Sequence, residues 1–183
     1  MSNCQDRDTS YLLEKTVKDL LQISLRKTEQ DVRRECGSLA RELIEASTRV
    51  RAQGEPLEQD SVLLPTESMN RLRDMVSQGN ITSVTEGSQV IRAVFVKIFE
   101  DGQKNFGRIF VCLALIVNVV QKVVPEGPGQ EEMLLLTDCV TDCLVQLRQA
   151  CDHCQSKKWG SMTAVATGMF FMAAAMLGII ILK

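Results

Sequence analysis

Apolar residues recur along this chain at helical spacing, in stretches separated by short polar breaks. Between residues 11 and 26, leucines and a valine return every three or four positions, which is the stripe of an amphipathic helix. Similar patterns predict helices at 28–52, 68–77, 84–99 and 131–153. Almost no alternating pattern typical of strands is present. The sequence therefore predicts an all-α fold.

One apolar segment has no polar face. Residues 109–120 read IFVCLALIVNVV, apolar on every side except at Asn118, within a helix that starts near Asn105. A helix that is apolar all round belongs inside a protein, and this run is short for a bilayer span. We expect a helical bundle in which the amphipathic helices surround this central apolar helix.

A second apolar run, residues 162–182, carries no charge, and only Lys183 follows it. At a rise of about 1.5 Å per residue, a helix of that length matches a hydrocarbon core of about 30 Å. Lys157, Lys158 and Trp159 suit the interface on the cytosolic side. The run predicts a C-terminal transmembrane helix that anchors the chain in a lipid bilayer and leaves everything upstream in the cytosol.

The 183 residues then divide into three parts. Residues 1–10 are expected to form an N-terminal tail, with Ser10 as the cap of the first helix. Residues 11–158 form one helical domain, since this length supports a single sizeable core. Residues 159–183 form the membrane anchor.

Composition narrows the chemistry. A formal net charge of −2 argues against a nucleic-acid partner. One histidine, no nucleophile elbow and no Gly-rich phosphate loop argue against an enzyme, so no catalytic residues and no cofactor are expected.

The seven cysteines form an odd set in a chain without a visible secretory signal, which favours reduced cytosolic thiols. Cys139, Cys143, Cys151, His153 and Cys154 carry donor atoms that zinc accepts. Their pattern is helical and lacks a second pair at finger-like spacing, so we expect packed thiols and no metal site. Redox sensing and lipidation near the membrane stay open for these thiols.

Residues 97–110, KIFEDGQKNFGRIF, carry a motif just before the apolar helix. This segment resembles the first homology region of the Bcl-2 family of apoptosis regulators, which reads Asp-Gly, a short spacer and Asn-Trp-Gly-Arg. Phe106 stands where the family usually has tryptophan. The matching residues are Asp101, Gly102, Asn105, Gly107 and Arg108.

The motif also has a physical logic of its own. Asn105 can cap the new helix through its side-chain oxygen, Gly107 allows another helix to approach, and Arg108 offers a planar fork to a carboxylate. The resemblance implies an apolar groove that receives a partner's amphipathic helix, with Arg108 pairing with the partner's aspartate. The residues expected to form this partner-helix groove are Leu72, Met75, Val94, Ile98, Asn105, Gly107, Arg108 and Val111.

Three other regions are similar to family motifs. Residues 17–25 resemble the fourth homology region, and 157–160 stand where the second usually has Gly-Gly-Trp-Asp. A death-motif-like helix has the third region's spacing, but Ser47 replaces its small glycine and Thr48 its aspartate, which removes the charge that pairs with arginine. The residues of this helix are Leu39, Leu43, Ala46, Ser47, Thr48 and Val50.

The resemblance implies a Bcl-2-like helical bundle that regulates the apoptotic process by binding amphipathic helices of Bcl-2 family proteins. Its expected place is the mitochondrial outer membrane, facing the cytosol, with the endoplasmic reticulum membrane as the alternative. Homodimers and heterodimers are both compatible with this function. Three alternatives stay open: a pore-forming, pro-death protein whose hairpin of 106–124 and 131–154 permeabilises the membrane, a regulator of organelle calcium handling, and a tail-anchored scaffold without a groove. The sequence leaves the sign of the effect on survival open.

Overall fold

The structure is a computed structural model that describes residues 3–24, 27–53 and 66–155. Within these ranges the chain forms six helices and no strand. The all-helical prediction is therefore confirmed. The helices are α1 (Asn3–Gln22), α2 (Glu29–Gln53), α3 (Thr66–Gln78), α4 (Val84–Phe99), α5 (Phe106–Val123) and α6 (Gln130–Gln155).

Helix α5 is the centre of the bundle. It packs against each of the other five described helices, and all its residues except Gly107, Lys122 and Val123 are buried. Asn118, its one polar interruption predicted from sequence, donates from Nδ2 to the carbonyl of Ala114 at 2.8 Å. The prediction of a buried apolar helix is confirmed.

The length and composition of α5 would also allow it to cross a membrane. Among the described residues it is the one helix with this property, and 83% of it is buried inside the structure. A buried core helix has the same composition as a membrane span, because both exclude water from all sides.

Two arginines and two aspartates connect α2, α4 and α6 at the surface. Arg33 contacts Asp138 at 3.3 Å and Asp142 at 2.7 Å, and Arg92 contacts both aspartates at 3.6 Å. These side chains are at least one-third exposed, so each pair contributes only about 0–1 kcal/mol. Apolar burial in the shared core, rather than this network, holds the three helices together.

The N-terminal part of the domain differs from the sequence prediction. Helix α1 begins at Asn3, so residues 3–10 belong to a helix instead of a tail, and the predicted cap at Ser10 is wrong. Thr9 and Ser10 are buried. The polar run that precedes Tyr11 has no apolar periodicity, and a pattern search therefore starts the helix too late.

Helices α4 and α5 approach closely at Gly87. A Cβ atom on this residue would lie 2.9 Å from Cγ1 of Val119 and 3.1 Å from Cγ1 of Val123. Valine is stiff at χ1 and cannot turn its methyl groups away freely. Gly87 therefore sets the separation between α4 and the central helix.

We expect Gly87→Ala to lower the free energy of unfolding. Overpacking costs about 1–3 kcal/mol, which exceeds the roughly 0.5–1 kcal/mol that alanine gains over glycine inside a helix. Gly37→Ala on α2 is the matched control, because its Cβ would lie 3.6 Å from Oγ1 of Thr141, an ordinary contact. Urea unfolding should show Gly37→Ala stabilised by about 0.5–1 kcal/mol. Equal stabilisation by both substitutions would contradict the close approach at Gly87.

Candidate partner-binding site

The site begins where α4 ends and α5 starts. Asn105 adopts an extended backbone, φ −151° and ψ 161°, and its Oδ1 accepts a hydrogen bond from the backbone N–H of Arg108 at 3.0 Å. This is the geometry of an N-cap, in which a side-chain oxygen satisfies a free N–H of the first helical turn. The predicted capping role of Asn105 is confirmed.

The turn before the cap directs Asp101 towards the new helix. Gly102 has φ +70°, a left-handed conformation that favours glycine. Its N–H donates to the carbonyl of Phe99 at 3.0 Å, and Oδ1 of Asp101 accepts from the N–H of Gln103 at 3.0 Å. The Asp-Gly pair of the motif thus forms a compact turn that presents a carboxylate to the first turn of α5.

That carboxylate binds Arg108. Nη2 of Arg108 donates to Oδ2 of Asp101 at 2.6 Å, and Nη1 donates to Oδ1. Nη1 also donates to the carbonyls of Ile98 at 2.6 Å and Gln103 at 3.2 Å. The side chain of Arg108 is 5% exposed and that of Asp101 is 45% exposed. Arg108 is therefore held inside its own turn by a two-point ion pair and two carbonyl groups.

The electrostatics of Asp101 follow from this geometry. Hydrogen bonding to Arg108, with a further contribution from the backbone N–H of Gln103, lowers the pKa of Asp101 to about 2. The carboxylate is consequently ionised at neutral pH.

Acidification is expected to weaken the fold through Asp101. Because the pKa of the folded state is lowered to about 2, the stabilisation is present above the unfolded-state pKa of about 3.9 and is lost as the pH falls towards the folded value. Asp101→Asn lacks this titration, so its free energy of unfolding should fall less between about pH 4 and about pH 2. Urea unfolding of both proteins across this range measures the difference, and parallel losses would contradict it.

The apolar residues predicted for the groove lie inside the bundle in this conformation. Leu72 of α3, Val94 and Ile98 of α4, and Val111 of α5 are buried, and Met75 is half-buried against the hydrophobic core. Asn105 and Gly107 are half-buried beside Arg108. The structure brings Ile98, Asn105 and Arg108 into contact through hydrogen bonds. The other predicted residues are distributed over the faces of α3, α4 and α5.

The death-motif-like stripe of α2 also faces inward. Leu39, Leu43 and Ser47 are buried, and Ala46 and Thr48 are half-buried. Oγ of Ser47 donates to the carbonyl of Leu43 at 2.6 Å. Oγ1 of Thr48 donates to the carbonyl of Glu45 at 2.9 Å.

Helix α5 also forms a hydrogen bond to this part of α2. The carbonyl of Ser47 accepts from Nε2 of Gln121 at 3.0 Å. The stripe thus contributes to the core of the same molecule. The side chain of Val50 lies outside the described residues.

Sequence reasoning missed Lys122 near the end of α5. Its Nζ donates to the carbonyls of Val76, Ser77 and Gly79, at 2.7, 2.8 and 2.5 Å. These carbonyls lie at the C-terminal end of α3, where intrahelical donors are missing and a cation is favourable. The available sequence signal is a lysine in the last turn of an apolar helix. This signal does not indicate which other helix end the lysine contacts.

Six cysteines are buried and form no disulfide: Cys36, Cys112, Cys139, Cys143, Cys151 and Cys154. Cys143 lines a surface pocket with a cavity volume of about 400 Å³ between α4 and α6. A hydrogen bond to Cys139 and burial raise the pKa of Cys143, whereas the same hydrogen bond lowers that of Cys139. The thiol that lines the pocket is therefore the less acidic of the two, and Cys139 is completely buried in the core.

A metal centre has no set of ligands in the described part of the chain. No group of three or more His, Cys, Asp or Glu residues there is placed to hold a metal ion. The side chain of His153 lies outside the described residues. So do Lys157, Lys158, Trp159 and the predicted anchor at 162–182.

Comparison with known protein families, with curated proteins and with solved structures finds no match for this chain. The described residues themselves define an all-helical bundle around one apolar helix. At the start of that helix, a capped turn holds a buried arginine against a half-exposed carboxylate.

Proposed function

We propose that this protein is a Bcl-2-like regulator of apoptosis that binds amphipathic helices of Bcl-2 family proteins. The observation that carries the proposal is the turn between α4 and α5. Asn105 caps α5, and Arg108 lies fixed in the first turn of this helix, most of which is buried. This arrangement supports a receptor that recognises a carboxylate of the partner helix next to an apolar contact surface.

Binding would begin with movement of α3 or α4 away from α5, against which both helices pack. Leu72, Val94 and Val111 are buried, so they reach a partner only when the helices that cover them move. The apolar side chains of the partner helix then replace contacts that the protein makes with itself. Arg108 supplies the polar contact by pairing with an aspartate of the partner.

The proposed location is the mitochondrial outer membrane, with the helical domain in the cytosol. The uncharged run at 162–182 supports a tail anchor, because its length matches the hydrocarbon core. The endoplasmic reticulum is the competing membrane. A tail anchor would confine the domain to the surface where membrane-bound partners also lie.

Permeabilisation of the membrane is the second candidate function. The observation that favours it is the composition of α5, which is long and apolar enough to cross a bilayer. This function requires α5 to leave the core, where it packs against the five other described helices. Dye release from liposomes that contain the full-length protein measures it directly.

Two matched peptides test the proposed receptor. One is an amphipathic helix with a single aspartate on its polar edge, and its twin carries asparagine there. Full-length protein should bind the aspartate peptide about 10–100-fold more tightly, as a hydrogen-bonded charge pair provides. Arg108→Lys should reduce this preference because the ammonium lacks the planar fork. Equal affinities for both peptides, or no binding, would contradict the proposal.

The effect on cell survival requires a test in cells. We propose expression of the full chain and of a chain truncated before residue 162, followed by measurement of cytochrome release with and without a death stimulus. Lower cytochrome release in cells that express the full chain indicates that the protein restrains pore formation. Cytochrome release without a stimulus indicates that the protein permeabilises the membrane. Indifference of the cells to both chains would contradict a role in apoptosis.

A further inference from the structure

The carboxylate site at Arg108 is already occupied by a residue of the same chain. Both oxygens of Asp101 meet the two Nη atoms of Arg108. This is the planar, two-point pairing that an arginine offers to any carboxylate. A partner's carboxylate therefore approaches an arginine whose two Nη groups already donate hydrogen bonds to Asp101.

We propose that Asp101 is a competing internal ligand for Arg108, which a partner's carboxylate must displace. This inference rests on the proposed function, because it concerns how the same site selects its partner. It makes Asp101 a residue that sets the affinity and the specificity of the site.

Displacement takes place on the aspartate side of the pair. Arg108 is anchored by the carbonyls of Ile98 and Gln103 and is 5% exposed, whereas Asp101 is 45% exposed on a turn. A released Asp101 carboxylate enters water, but a released Arg108 would remain as a buried charge without its partner, which is strongly unfavourable. The arginine is thus the fixed element of the pair and the aspartate the exchangeable one.

The competition determines which partners gain from a carboxylate. A helix without an acidic residue can bind while Asp101 and Arg108 stay paired. A helix with an aspartate must displace Asp101 from Arg108. Part of the free energy gained from the new pair with Arg108 is therefore offset by loss of the internal pair. Asp101 consequently lowers the preference of the site for acidic helices.

Asp101→Asn tests the competition with the same two peptides. Asparagine keeps the shape of the side chain and an acceptor for the N–H of Gln103, but it removes the charge that occupies Arg108. If about nine-tenths of the molecules are occupied by Asp101, the aspartate peptide should bind about tenfold more tightly to the variant. Affinity for the asparagine peptide should not change.

Glu100→Gln is the matched control. It removes the same charge one position earlier, and Glu100 contacts Lys97 at 2.9 Å rather than Arg108. The affinities of this control should equal those of the wild type. An equal gain in Glu100→Gln would mean that net charge, and not occupancy of Arg108, governs binding, and would overturn the inference.

Gly102→Ala provides a second variant should Asp101→Asn fail to fold. Gly102 has φ +70°, and no atom lies within 4 Å of a Cβ built there. Alanine would therefore act through backbone strain in the turn that presents Asp101. Tighter binding of the aspartate peptide by this variant supports the competition, and unchanged binding overturns it.

The outcomes separate this inference from the proposed function. If the wild-type protein prefers the aspartate peptide and the Arg108→Lys variant loses that preference, the proposed function is supported. Absence of any gain in Asp101→Asn then overturns the competition alone. Absence of peptide binding by the wild type and by every variant overturns the proposed function and the inference with it.

Discussion

Leu113→Ala should lower the free energy of unfolding by about 3–5 kcal/mol, in the upper part of the range for a buried leucine. Leu113 lies in the middle of α5 and is completely buried. The surrounding helices pack against α5 from all sides, so they cannot collapse into the space that the side chain leaves. Urea unfolding of the two proteins at one temperature measures the loss.

Leu134→Ala is the matched control for this cavity. Leu134 lies on α6 and is 61% exposed, so the same truncation there should change the free energy of unfolding by no more than about 0.5 kcal/mol. Comparable losses at both positions would contradict the central position of α5.

Arg108→Met should lower the free energy of unfolding by about 2–4 kcal/mol, because hydrogen bonds to charged groups contribute more than neutral ones. The substitution keeps an unbranched side chain but leaves the carbonyls of Ile98 and Gln103 without their donor. It also releases Asp101, the anchor of the turn. Thermal and urea unfolding measure the effect.

Arg92→Met is the matched control for Arg108. Arg92 is also a helical arginine that contacts aspartates, but its side chain is 53% exposed. Its replacement should lower the free energy of unfolding by at most about 1 kcal/mol. Losses of equal size at the two arginines would contradict the buried anchoring of Arg108.

Local sequence signals predicted the central part of the fold. The helix at 84–99 was predicted correctly, and the structure shows why its start is sharply defined. Ser83 and Glu86 form a capping box, in which each side chain satisfies the backbone of the other. The Asp-Gly break and the Asn105 cap similarly define the start of α5. Each of these signals acts over a few residues, so periodicity and capping rules can find it.

Periodicity and capping rules do not predict contacts between segments that are distant in the chain, or contacts that depend on a particular turn. The approach at Gly87 depends on two valines of another helix, and Lys122 meets carbonyls more than forty positions earlier in the chain. The pairing of Asp101 with Arg108 requires the left-handed turn at Gly102. Whether an apolar stripe lines a groove or fills the core cannot be predicted from periodicity, since both faces carry the same residue types.

The burial of the α2 stripe determines the order of events if this chain ever acts as a ligand. Leu39, Leu43 and Ser47 contribute to the core of their own molecule, so α2 must detach before another protein can hold it. Detachment is a unimolecular step whose rate is independent of the concentration of the acceptor. The rate at which α2 is transferred to an acceptor would therefore reach a maximum as the concentration of the acceptor rises.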